Sequence, residues 1–223
     1  MANAKTNPPL DGVYRALFAA WGPQYWWPAR SRFEMMTGAI LTQNTAWTNV
    51  EKAIARLRRA RALSPRALLA MPEHELAELI RPAGYFNVKA RRLRHFAAWL
   101  VERHGGDIDR MFRADTATLR RELLAVHGIG KETADSILLY AGHRPVFVVD
   151  AYTRRFLSRH RWIRATAGYD DIAERFHAFF RGLEDQPRAA LFNEYHALIV
   201  ALAKKHCRSR ARCEGCPLAP WLP

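Results

Sequence analysis

The sequence predicts an all-α protein, and three observations carry that prediction. Apolar residues recur at helical spacing through most of the 223 residues. Proline and glycine break the chain at short intervals, which divides it into about ten short helices with short connections. The one run that reads as extended, Val146 to Val149, is four residues long and cannot make a sheet.

Leu10, Val13, Leu17 and Phe18 form one stripe, so Leu10 to Trp21 reads as an amphipathic helix. Phe33 to Leu41 is more continuously apolar and reads as a buried helix. Asn44 or Thr45 is positioned to cap a helix running through Val50, Ile54 and Leu57. Ser64-Pro65 starts another helix, Met71-Pro72 ends it, and a further helix reaches about Arg81. Arg81-Pro82-Ala83-Gly84 is a turn, and Val88 to Arg103 is a long basic helix stopped by Gly105-Gly106. Asp115 or Thr116 caps a helix to Val126. His127-Gly128-Ile129-Gly130 is a tight turn, and the next helix runs from Lys131 to Ala141. Helices are expected again over Ala151–Arg159, Asp170–Arg181 and Ala189–Lys205.

Composition narrows the function. Lys and Arg total 35 against 21 acidic residues, a net charge of +14 spread along the chain. A distributed positive surplus suits a polyanion, and nucleic acid is the common one. The opening MANAKTNPPL has no signal-peptide core, and no apolar stretch approaches membrane-spanning length, so a cytoplasmic protein with no membrane partner is expected. The three cysteines lie together at Cys207, Cys213 and Cys216. Crowded so, they suggest a metal or cluster loop and not a secreted disulfide framework.

The segment AVHGIGKETAD, residues 125–135, is not a nucleotide-binding P-loop. That would need glycine at position 125, Ser or Thr at position 132 and a preceding strand, whereas the chain has Ala125 and Glu132. Two helices around a Gly-x-Gly turn instead offer backbone N–H groups to a DNA phosphate without reading sequence. An ordinary helix–helix turn would look the same if it stood alone. Here it is followed by VFVVDAYTRR, which sets Asp150 at the start of the next helix.

That hairpin, the short extended run and Asp150 together resemble the helix-hairpin-helix DNA glycosylase superfamily, in its endonuclease III branch. The resemblance extends over about residues 30–218. LTQNT (Leu41–Thr45), PAGYFNVKARRL (Pro82–Leu93) and HALIVALAKKHC (His196–Cys207) are similar to the family's buried Gln segment, its second DNA-contacting loop and the helix before its iron–sulfur loop. The narrower pattern, GIGKETADSILLYA with RPAGYFNVKARRL and Trp26–Pro28, looks like the 3-methyladenine glycosylases of endonuclease III type.

The resemblance implies two helical lobes with the active site in the cleft between them. One spans about 33–145 and contains the hairpin, 119–142; the other is 10–30 plus 150–206, followed by a cysteine loop at 207–216. It makes Asp150 the catalytic carboxylate, stabilising the sugar cation and activating water. A plain helix N-cap is the alternative for such an Asp, and both roles are compatible. The strand-nicking lysine of the family corresponds to Glu132 here. Lys131, one residue earlier, is turned by about 100° on a helix. The resemblance therefore implies a monofunctional, base-removing enzyme.

Glu132, Trp47, Trp26 and Trp27 are candidate pocket residues, aromatic faces being suited to a cationic alkylated base. Gln43 and Tyr85 are the candidates for filling the gap left by an extruded base. Gly128, Ile129, Gly130, Lys131, Lys89 and Arg154 are candidate backbone-phosphate contacts. Ala39 stands where adenine-excising members carry glutamate, which disfavours that specificity.

Cys207, Cys213 and Cys216 resemble three of four [4Fe–4S] ligands, but the fourth position falls near Leu222. The ligand set is therefore incomplete, and a cluster, a zinc ion or no metal all remain open; none is required for the chemistry. The expected partner is double-stranded DNA containing a damaged base, and a monomer is expected. Two alternatives are an endonuclease III-like oxidised-pyrimidine glycosylase with lyase activity, and a non-catalytic binder of abasic or damaged DNA.

Overall fold

The computed structural model describes residues 8–26 and 29–223. Its regular elements are helical, and no strand occurs among the described residues. The chain divides into two compact units. One is Met1–Trp26 with His143–Pro223, and the other is Trp27–Gly142. None of the described helices is long and apolar enough to cross a membrane.

In the continuous unit, α2 (Arg32–Leu41) is the buried centre, with every residue from Phe33 to Leu41 enclosed. Around it lie α3 (Trp47–Arg59), α4 (Pro65–Ala70), α5 (Glu73–Leu79), α6 (Phe86–His104), α7 (Ile108–Met111), α8 (Thr116–Ala125) and α9 (Lys131–Ser136). The chain widens to a π-helix over Ile137–Ala141, which packs back on α2. Local chemistry sets the starts: the side chains of Ser31, Ser64, Asp107 and Asp115 each accept a hydrogen bond from a first-turn N–H. The start of α3 differs from expectation. Its N-cap is Ala46, with no side-chain cap, and Asn44 instead takes a left-handed φ of 53° in the preceding turn. Helix α7 has no apolar period to announce it; Asp107 nucleates it by capping two N–H groups.

In the discontinuous unit, α1 (Leu10–Trp21) and α10 (Ala151–Arg159) both pack on α12 (Asp185–Lys205), and α11 (Tyr169–Phe179) completes the group. Helix α12 starts four residues before the expected Ala189, because Pro187 lies in the first turn, where its missing N–H loses no partner. The Tyr195 hydroxyl donates to the Leu10 carbonyl at 2.9 Å and fixes α1 on α12.

The extended run 146–149 is buried yet belongs to no sheet, so its amides need other partners. The Phe147 N–H donates to His177 Nε2 at 2.9 Å, and the Val149 N–H to the Tyr169 hydroxyl at 3.3 Å. Phe147 stacks on Phe176 with centroids 3.6 Å apart and meets Phe192 and Tyr195 edge-on. This aromatic knot holds the backbone that delivers Asp150.

Candidate active site

Asp150 is the N-cap of α10. Its Oδ1 accepts from the Thr153 N–H at 2.7 Å, so one oxygen serves the helix. Oδ2 lies 3.6 Å from Nε2 of His196, a residue of α12 that is almost fully buried. The Trp26 ring stacks on the other side of that system, 5.4 Å from the His196 centroid and 12° from parallel. Burial alone would push the Asp150 carboxyl up. The His196 imidazole and the Thr153 groups outweigh it and hold Asp150 below its ordinary pKa. The result is a half-buried, ionised carboxylate, able to stabilise positive charge and poor at taking up a proton. Arg154, one turn into the same helix, donates to the Ala167 carbonyl at 2.6 Å and is half-buried.

The hairpin lies in the other unit. Gly128 has φ +89°, and a Cβ there would fall 2.2 Å from Arg92 Cγ, so both conformation and space demand glycine. Gly130 is different: its φ of −93° is ordinary and its surroundings are open. Ile129 is buried, and its N–H donates to the Val126 carbonyl at 3.0 Å, closing the turn. Lys131 and Glu132 are exposed neighbours in the first turn of α9. The hairpin is braced from behind by Asp135, 1% exposed, which receives both the Nε and an Nη of Arg120 at 2.7 and 3.1 Å.

The two loops expected at the DNA gap are unlike. Tyr85 is 72% exposed and left-handed at φ 46°, a ring standing clear of the surface. Gln43 is turned inward. Its amide nitrogen donates to the Gly128 carbonyl at 3.0 Å and to Thr133 Oγ1 at 2.9 Å, while Arg92 donates to its Oε1. Lys89 is a correction. Expected at a phosphate, it is 1% exposed, and its ammonium donates to the carbonyls of Leu41 and Ala83 at 2.9 and 2.7 Å, out of reach of DNA.

Trp47 borders a cavity of about 270 Å³ that is also lined by Ala29, Arg30, Glu34 and Glu51. Its indole N–H donates to Glu51 at 2.9 Å, which places the carboxylate at the edge of the ring. Trp27 lies outside the described residues.

His196, Arg92, Thr133 and Asp135 carry geometry that the sequence does not announce. His196 offers one signal: it interrupts the otherwise apolar buried face of α12 formed by Tyr195, Leu198, Ile199 and Leu202. The others make contacts between distant segments that no local pattern reveals.

The three cysteines and Leu222 line one narrow cavity, with Arg159 and His206. Among the described residues no group of three His, Cys, Asp or Glu side chains is placed to hold a metal ion. Burial first, with the neighbouring Cys213 and Cys207, pushes the Cys216 thiol up. Protein groups close the loop instead: Arg159 donates to Cys207 Sγ and to the carbonyls of Arg208 and Ser209, Arg155 to the Cys207 carbonyl, and His206 meets the Arg212 carbonyl. These residues do not fit a four-thiolate cluster, whose remaining position is leucine.

An ionised carboxylate at a helix start, a Gly-x-Gly hairpin and an all-α frame define the class of DNA glycosylases. The chain belongs to the HhH-GPD superfamily of base excision DNA repair proteins, whose sequence pattern matches residues 37–181. The relative from Methanocaldococcus jannaschii named "Putative DNA repair glycosylase" is 47% identical over 209 residues, 92% of each chain. Endonuclease III of Sulfolobus acidocaldarius is 31% identical over 194 residues, 86% of this chain and 82% of its own. The structure of H. pylori 3-methyladenine DNA glycosylase bound to 1,N6-ethenoadenine is similar with a TM-score of 0.74 at 28% identity, covering 88% of this chain and 97% of that one. A non-covalent endonuclease III–DNA complex reaches 0.78 at 20% identity, covering 100% and 96%, which speaks for the fold. The branch is the endonuclease III-like one, and the protein is a DNA glycosylase of base excision repair.

Proposed function

We propose that the enzyme is monofunctional, removing alkylated purines of the 3-methyladenine kind from double-stranded DNA by hydrolysis. The observation that carries this reading is the combination of a half-buried carboxylate held ionised, Asp150, with a carboxylate, Glu132, at the position where the family resemblance puts the strand-nicking lysine.

In the reaction the bond between C1′ and the base breaks with its electrons leaving on the base, and water forms the new C1′–O bond and releases its proton to solvent. Asp150 Oδ2 stabilises the positive sugar that forms between these events and orients the water. A carboxylate held below its ordinary pKa is a weak proton acceptor, so its main contribution is charge stabilisation. That suits alkylated purines, which already carry positive charge and leave without being protonated. The cavity at Trp47 offers an aromatic wall to a flat base; its charges balance, Arg30 and Arg58 standing beside Glu34 and Glu51, with Glu34 paired to Arg58 at 2.7 Å. The 28% identical 3-methyladenine glycosylase supports the same substrate class. Tyr85 enters the gap left by the extruded base, and Gln43 joins it by exchanging its bonds to Gly128 and Thr133 for the opposite strand. Backbone N–H groups of Gly128, Gly130 and Lys131 and the side chain of Arg154 take phosphates, the Ile129 N–H being held by the Val126 carbonyl, and affinity should fall steeply with salt.

The deciding experiment incubates the protein with methylated DNA and with thymine-glycol DNA, half of each treated with borohydride. Free methylated base with no trapped complex is expected. A trapped complex means the oxidised-pyrimidine, strand-nicking reading with an amine such as Lys131, and inertness on both substrates means a binder.

A further inference from the structure

Lys89 sits where a cation is costly. It is buried, and it lies in the first turns of α6, whose exposed N–H groups repel positive charge. Burial first, and the nearby Arg92 second, lower its pKa to about 8. Such a placement persists only if the ammonium is well used. Its two acceptors are the Leu41 carbonyl, at the end of α2, and the Ala83 carbonyl, at the end of the 3₁₀ turn Arg81–Ala83. Each is the negative end of a helical segment. One cation therefore caps two helix ends from different parts of the chain.

Both helix ends lead into the same kind of turn. Two residues after Leu41 comes Gln43, and two residues after Ala83 comes Tyr85. Both turns then pass through left-handed backbone, at Asn44 (φ 53°) in one and at Gly84 and Tyr85 (φ 66° and 46°) in the other. Tight turns of this kind carry their orientation outward from the residue at which they are anchored. Three residues further along α6, on the same face, Arg92 donates to Gln43 Oε1, and its stem fills the space a Gly128 side chain would take.

We infer that Lys89 is a positioning residue: by holding the last carbonyls before both loops, it fixes the separation of Gln43 and Tyr85 and so the fit of the pair to a damaged site. This rests on the reading of those two loops as the segments that enter the DNA gap. Lys89 itself touches no DNA.

The test compares wild type with Lys89→Met in binding to a duplex with a tetrahydrofuran abasic-site analogue and to the matched intact duplex. Intact-duplex affinity should persist, since phosphates are bound elsewhere, while preference for the abasic site should drop about tenfold or more. The loss should be absent when Lys89→Met is added to a Gln43→Ala/Tyr85→Ala background, because Lys89 acts through those residues. Equal losses on both duplexes, or full additivity with the loop changes, overturn the inference. If the loop changes alone leave abasic preference intact, the loop reading itself has failed. If they abolish it and Lys89→Met does nothing, only the Lys89 inference has.

Should Lys89→Met not fold, the wild type carries the test. Amide hydrogens of 42–46 and of 84–86 should open as one unit with one free energy, since a single ammonium holds both. Two independent openings overturn the inference.

Discussion

His196 Nε2 faces Asp150 Oδ2 at 3.6 Å inside one unit of the fold, with the Trp26 ring stacked on the imidazole. The pairing gives the carboxylate a cationic or hydrogen-bonding neighbour on the oxygen not used to cap α10. Removing the imidazole while keeping an aromatic ring, as in His196→Phe, takes away a cause that lowers the Asp150 pKa. The carboxyl pKa then rises. The proposed mechanism uses the ionised form, so the acid limb of the pH–rate profile should move to higher pH, and an unmoved limb would show that the pair is structural only.

Asp150→Asn keeps an oxygen to cap α10, so folding should be retained. Base release should fall by about a thousandfold or more, as for loss of a principal charge-stabilising group. Single-turnover release and duplex binding, measured together, decide it; release near the wild-type rate removes Asp150 from the mechanism.

The register of the hairpin makes a sharper forecast. Glu132→Lys puts an amine where the strand-nicking relatives have one and should yield a borohydride-trapped DNA complex that the wild type does not. Lys131→Ala should leave base release within about twofold, because a neighbouring helix position points about 100° away. Trapping that depends on Lys131 would reverse the monofunctional assignment.

Only one of the hairpin glycines is obligatory for the fold. Gly128→Ala meets both a positive φ and the stem of Arg92, and should destabilise the protein by about 2 kcal/mol. Gly130→Ala enters open space at an ordinary φ, and its thermal midpoint should match the wild type. Melting curves of the two variants separate them, and equal midpoints would contradict the geometry.

The cysteine loop yields a compositional forecast. Aerobically or anaerobically purified protein should hold well under one equivalent of iron or zinc, and Cys216→Ser should keep its base-release rate. Four iron atoms per chain would mean that a fourth ligand other than cysteine has been recruited.

Much of the fold and of the site is legible in the sequence, for physical reasons that particular residues display. Ser64, Asp115 and Asp150 announce their helices because capping is local chemistry, readable within four positions. The proposed register of Glu132 and Asp150 likewise rests on counting along the chain. Lys89 is not legible, because a lysine in a basic helix ordinarily points to solvent, and its acceptors, at Leu41 and Ala83, come from two separate turns. The inward turn of Gln43 depends on Gly128, Thr133 and Arg92 together, a meeting of four segments. The cap of α3 departs from expectation because Asn44 does something else, taking the left-handed turn that precedes the helix.

The backbone run into Asp150 bears also on natural variation. Its amides are held by the hydroxyl of Tyr169 and the ring of His177, and its Phe147 by Phe176, all three on α11. A helix that supplies none of the proposed DNA contacts thus stores the address of the proposed catalytic group. Changes such as Tyr169→Phe would be scored as remote and conservative by position and chemistry alone, yet they loosen the carboxylate. Inherited loss of repair in such a chain would map to α11 as readily as to the hairpin.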